Sequence, residues 1–394
     1  MLALRLARGA RPAVQLRRLL VAAASAGTGF LLLCTLGHAL GHPEASTASL
    51  TRLAWCVVPL AATVYLAVAV ARSDPATVPR PGLSAVGLGP ARLTLLAVIS
   101  TAVACTLGSM LALLFFLHLR GDLAGLPFDG AARGLLAADR PLPLGAALTL
   151  LAVVPLTASA AGAVALRPRT QGPGAAAGTD PEEPSAAPSA APTGLPWGVA
   201  LLAAGLAVET YAAHTPGGRG PAMPGGLGGG PTGVLAGWAL TALGLALAGP
   251  GLTHLCGRAL QAVRPGAVRL LAGRVLQEEA RRIGRPLGVV CAVASGAYAA
   301  HVMYGSAGKA DAGLGPLSAL GASLVVGCAL AALATAAVEA RHARRHTTSA
   351  LLRIGAPATR LRGVAALRAG ALLALFTPLT WTVAELSAIP LISR

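Results

Sequence analysis

The sequence predicts an all-α, polytopic transmembrane helical protein of about nine spans, with an internal duplication of a three- or four-helix unit. Three observations carry this expectation. Hydrophobic residues are 55% of the 394 and charged residues only 11%, against roughly 25% charge in soluble domains. Apolar runs of about 18 residues or more recur along the chain, and each is long enough as a helix to cross a hydrocarbon core of about 30 Å. Two stretches, VGLGPARL and IGAPATRL, coincide at Gly87/Gly355, Arg92/Arg360 and Leu93/Leu361 with one constant offset of 268 residues.

The N-terminal MLALRLARGARPAVQLRR carries five arginines before an apolar run that starts at Leu19 and continues to about Leu40. That run is too long for a signal-peptide core and lacks a convincing small-residue cleavage site, so it reads as an uncleaved first span after a short surface helix. Further spans follow at about 53–71, 93–117, 145–166, 195–213, 232–250, 286–304, 315–338 and 361–384. Residues 167–194 are Pro, Gly, Ala and Ser with a small acidic patch and no apolar periodicity, a flexible linker. The chain thus divides into a first unit of four spans (1–166), the linker (167–194), a central pair of spans (195–250), an amphipathic segment (251–285) and a second unit of three spans (286–394). Within the amphipathic segment, Leu271, Val275 and Ile283 share an apolar face, Glu278, Glu279, Arg281 and Arg282 are polar, and the helix is expected to stop at Arg285-Pro286. A helix lying among lipid headgroups accounts for such a pattern.

Counting Lys and Arg on alternate sides sets the orientation. With the N-terminus inside, the inner segments hold 24 and the outer segments 7, as expected if positive residues stay on the cytoplasmic side. The chain is therefore expected in the plasma membrane with its N-terminus cytoplasmic. The net charge of +17 follows from that asymmetry. The arginines flank apolar spans and do not form an aromatic-laced face, so no nucleic-acid partner is expected.

Chemistry finds little support. Around Lys309, YGSAGKAD lacks the leading glycine and the Ser or Thr of a phosphate-binding loop. His342 and His346 are spaced i,i+4 but have no third ligand at metal spacing, and a solvated basic face explains them. The six cysteines (34, 56, 105, 256, 291, 328) show no paired metal spacing and read as small apolar residues, with a Cys34–Cys56 disulfide as the minor alternative. Glu209 and Glu385 lie near span ends, so a midplane proton relay, the mark of an ion-coupled transporter, is not evident. No enzyme activity, cofactor or metal is expected.

What topology leaves unexplained is the repeated loop. Between Glu339 and Gly370 lie seven arginines, and Thr347, Thr348 and Ser349 are good caps for a helix starting there. Leu351, Leu352 and Ile354 would give that helix an apolar patch, Gly355 permits a reversal, and Pro357 suits the first turn of the next helix. This stretch, with LLRIGAPATRLR between Arg341 and Arg362, resembles the coupling motif of the FtsX-like permease family of ABC transporters. The first copy, LSAVGLGPARL, matches more weakly, with Ala85 and Val86 where the Leu-Arg pair would stand. Members commonly carry a large extracytoplasmic domain after the first span of a unit, where this chain has only residues 41–52 and 305–314.

The resemblance implies a permease subunit without catalysis of its own, working as a homodimer or pseudo-dimer with a separate cytoplasmic ATP-binding subunit. Gly87, Arg92, Leu352, Arg353, Gly355 and Arg360 would then sit in loops that touch that subunit. Export of a peptide or lipid-like substrate, or transmembrane signalling, is the expected outcome. The alternative from another class is a degenerate or structural membrane protein whose arginines fix topology and bind anionic membrane lipids.

Overall fold

The computed structural model describes residues 12–73, 90–123, 130–134, 136–167, 192–214, 232–262, 266–306, 315–355 and 357–392. They form eleven helices: α1 (Pro12–Gly41), α2 (Ser46–Trp55), α3 (Val57–Arg72), α4 (Pro90–Arg120), α5 (Leu144–Ala165), α6 (Leu195–His214), α7 (Thr232–Ala262), α8 (Ala267–Ser306), α9 (Pro316–Ala343), α10 (Arg345–Arg353) and α11 (Ala358–Ile392). With α2 and α3 counted as one, nine helical stretches among the described residues are long and apolar enough to span a membrane. The protein is an integral, multi-pass, all-helical membrane protein. The Arg-rich first residues, the Gly87 loop, most of the linker, the Gly/Pro-rich loop after His214 and the Lys309 loop lie outside the described residues.

Lipid tails are as apolar as leucine, so membrane helices associate through close packing and hydrogen bonds instead of water exclusion. Both means are visible. In a first group, α1 packs on α4, and α5 closes against α4, α3 and α1. Ser25 of α1 donates to the Cys105 carbonyl at 2.8 Å, Thr28 and Thr63 share a 2.8 Å hydrogen bond between α1 and α3, and Ser109 donates to the Leu151 carbonyl at 3.2 Å. Gly108 faces the carbonyl of Ala22 so closely that a Cβ there would clash with it.

A second group comprises α6, α7, α8 and α11. Gly198 and Gly205 of α6 meet backbone of α7 around Ala248, Thr241 and Gly237, and on the next seam Gly249 and Gly257 of α7 meet Gly284 and Gly273 of α8. Each pair lets two backbones touch where any side chain would hold them apart. The antiparallel α7–α8 hairpin is also long: 31 and 40 residues correspond to about 46 and 60 Å, well over the hydrocarbon thickness of about 30 Å.

Here the structure corrects the sequence reading. The helix expected to stop at Arg285-Pro286 runs through Pro286 as part of α8, and α7 likewise runs through Pro250. A proline forfeits one backbone bond, which neighbouring helices make tolerable in a packed bundle. The buried face of the amphipathic part is Ala272, Leu276, Glu279, Ala280 and Ile283, turned toward its neighbours, while Leu271 is exposed. It is a packed helix end and not one lying free on lipid headgroups.

Helix α9 joins the groups. It follows α8 in the chain and packs on it, yet it also packs on α3 and α1. Its Cys328 and Ala332 complete the core of the first group with Val21, Ala24, Leu66, Ala67, Val70, Ala104, Cys105 and Ala158.

A candidate docking site at the end of helix α9

Helix α10 is the short helix expected between the last two spans, and its start differs from expectation. It begins at Arg345, one residue after α9 ends, with Arg344 (φ −83°, ψ −6°) as the joint and no side-chain cap. The Thr347 hydroxyl is not a cap: it donates backward to the Arg344 carbonyl at 2.9 Å, beside the Thr348 N–H at 2.8 Å. The reason is that the polypeptide barely leaves helical geometry at Arg344, so the free N–H groups that a cap would satisfy are not presented at Thr347.

The far end is as its residues suggest. The Ile354 N–H donates to the Ala350 carbonyl and the Gly355 N–H to the Leu352 carbonyl, both at 3.1 Å, and Gly355 has φ +92°. That left-handed conformation is the usual way for a helix to stop on glycine. Helix α11 begins three residues later, and the Arg360 N–H donates to the Pro357 carbonyl at 3.0 Å.

Helix α10 touches little of the protein beyond the end of α9. Leu352 is 47% exposed and Ile354 84% exposed, and Arg353 and Arg360 are also exposed. An apolar patch rimmed by arginines therefore stands out from the bundle. Of the residues expected in the first copy of the loop, Gly87 lies outside the described residues, and Arg92 is exposed in the first turn of α4 while Leu93 beside it is buried. Helix α4 packs chiefly on α1 and α5 and α10 on α9, so the structure does not gather the two copies into one surface.

Beneath α10 lies a cluster that the sequence reading missed. Glu279 of α8 is buried, and Arg344 at the α9–α10 joint places its Nε 3.0 Å from Glu279 Oε1. From α11, Arg368 Nη2 donates to Glu279 Oε2. Arg344 Nε also donates to the Ala340 carbonyl at 3.1 Å, the last turn of α9. One carboxylate thus ties three helices at the foot of α10, and two guanidiniums share its charge. A periodicity argument puts every charge of α8 on the solvent side; only the arrangement of α9 and α11, brought in from later in the chain, reveals that Glu279 faces inward.

The second buried acid is Glu209 of α6, fully buried and facing α7 and α11. Glu385 of α11 is half-buried and accepts a 2.8 Å hydrogen bond from the Tyr298 hydroxyl, with Trp381 packed on that ring. The cysteines are all free; five are buried, and Cys34 and Cys56 belong to different clusters of the core. No protein-family model, curated protein or solved structure matches the chain.

Proposed function

We propose that this protein is the permease subunit of an ABC transporter of the FtsX-like kind, lying in the plasma membrane with its N-terminus cytoplasmic. A separate cytoplasmic ATP-binding subunit docks on α10, and a dimer or pseudo-dimer of permease units passes its movement to the spans. The observation that carries this reading is the pairing of a protruding helix with a rigid footing. Leu352, Arg353 and Ile354 are offered to a partner, and the Glu279–Arg344–Arg368 cluster fastens the joint of that helix to α8 and α11.

Force applied to α10 then has somewhere to go. Arg344 conveys it to α8 through Glu279, and Gly355 passes the chain directly into α11, so a push on nine residues moves two long helices together. Switching by packed elements requires such linkage between an interface and the helices it displaces. Export of a peptide or lipid-like substrate, or transmembrane signalling, is the output assigned to it.

The test is co-purification with an ATP-binding protein encoded beside this chain. The wild type should retain it, and reversal of Arg353 and Arg360 to Glu should abolish retention while the chain stays folded. Equal retention by the reversed variant would refute the docking role. If no ATPase is retained while both forms bind anionic vesicles in proportion to their arginines, the structural, lipid-binding alternative stands instead.

A further inference from the structure

Glu209 lies on α6 five residues before the helix ends at His214, about 7.5 Å along the axis. Its side chain is inside the protein, among helices that cross a membrane. The Thr241 hydroxyl of α7 donates to Oε1 at 3.0 Å, and Ser387 of α11 is the other hydroxyl facing the carboxyl. Oε2 has no hydrogen-bond partner among the described residues. The backbone opposite is glycine: a Cβ on Gly237 would run into Glu209 Cγ, so the site is shaped around this side chain.

Among the described residues, nothing near it supplies a positive charge. No ion pair to Glu209 is found among the described residues. On α7 the titratable side chains are His254, Cys256 and Arg258, thirteen residues or more from Thr241 and so about 20 Å away along the helix. On α11, Arg360, Arg362 and Arg368 are nineteen or more residues from Ser387, and the nearby Glu385 is engaged by Tyr298 of α8. On α6 itself, Tyr211 is exposed and His214 bonds to the Thr210 carbonyl. A buried carboxylate with one neutral donor and no counter-ion is poorly satisfied, because buried charges need pairing. A carboxylic acid is better accommodated here: Oε1 keeps the hydrogen bond from Thr241, and a proton on Oε2 leaves no uncompensated charge inside the bundle.

We propose that Glu209 is a proton-binding site, carried protonated between Thr241 and Ser387, and that release of its proton loosens α11 from the α6–α7 pair. The proton comes from and returns to solvent, leaving a carboxylate that the site does not stabilise. This inference does not rest on the docking role of α10, although α11 begins just beyond that helix and ends at this site. The proton would therefore be felt along the same helix that a docked partner moves.

Infrared spectroscopy of the purified full chain in lipid vesicles tests it. At neutral pH the wild type should show the carbonyl stretch of a protonated carboxylic acid, absent in Glu209→Gln and retained in Glu385→Gln. Raising the pH should remove the band and lower the unfolding temperature over the same interval, whereas Glu209→Gln should unfold at a temperature insensitive to that interval. Should Glu209→Gln fail to fold, Thr241→Val must shift the frequency of the band, since it removes the hydrogen bond to Oε1. No protonated-acid band at neutral pH in the folded protein, or a band unaffected by Glu209→Gln and by Thr241→Val, overturns the proposal.

Discussion

Replacing Glu279 by alanine removes the one anion between Arg344 and Arg368. Deleting one partner of a buried ion pair costs about 3–5 kcal/mol, mostly because the other charge is left without compensation. The two arginines differ in their escape routes. Arg344 is 28% exposed and can turn toward water, whereas Arg368 is 9% exposed and sits eleven residues into α11. The loss for Glu279→Ala therefore belongs at the lower end, about 3 kcal/mol. Reversible unfolding in mixed micelles, followed by circular dichroism, measures it. The double variant Glu279→Ala/Arg368→Met removes the stranded cation along with the anion and should recover at least about 1 kcal/mol, the non-additivity expected of residues in one network. Retention of an ATP-binding partner should also fall in Glu279→Ala at temperatures where the chain is still folded, because the joint at Arg344 is no longer anchored. A loss below about 1 kcal/mol, or strictly additive effects of the two substitutions, would refute the view that this cluster fixes α10.

Gly288→Ala places a Cβ against the Leu245 carbonyl oxygen of α7 and should cost about 1–3 kcal/mol by overpacking. Gly296→Ala on the same helix meets nothing within 4 Å and should be neutral or stabilising by up to about 1 kcal/mol; the same micelle assay distinguishes them. Gly355→Ala also meets nothing within 4 Å, so its cost is the left-handed backbone alone, about 1–2 kcal/mol, with partner retention reduced as the α10–α11 turn relaxes. Leu352→Ser with Ile354→Ser should change stability by no more than about 0.5 kcal/mol yet weaken retention of the proposed ATP-binding partner in pull-down. Thiol alkylation followed by mass spectrometry should modify Cys34 and Cys56 only after denaturation, at equal extent with and without prior reduction, since both are buried and free.

The spans were legible because a bilayer imposes a length and a composition that few other constraints can imitate. What hydropathy does not reveal is which face of a helix turns inward, since lipid and protein interior are equally apolar. Hence of the Leu271–Val275–Ile283 face read from periodicity only Ile283 is buried, and it is joined inside by Ala272, Leu276 and Ala280 while Leu271 is exposed. Glu279 was assigned to solvent on its charge, because its partners Arg344 and Arg368 are remote in sequence. Pro286 was read as a stop by a rule framed for helices in water, whereas α8 runs through it. At the candidate site, the Gly355 turn could be read from local backbone chemistry alone and Pro357 falls one residue ahead of α11, while the capping role given to Thr347 failed because α9 and α10 are parted by a single residue.

The position of α9 bears on how such a chain is made. Its Cys328 and Ala332 fill the middle of a core whose other members all lie before residue 159. During synthesis, α1, α3, α4 and α5 enter the membrane with that slot open, and it is filled only after three further helices, α6, α7 and α8, have been translated. A nascent chain halted at the linker would hold an unfinished first group, able to accept a separately made second half. The two halves, split within residues 168–191 and expressed together, are therefore expected to assemble, while the first alone is expected to be degraded.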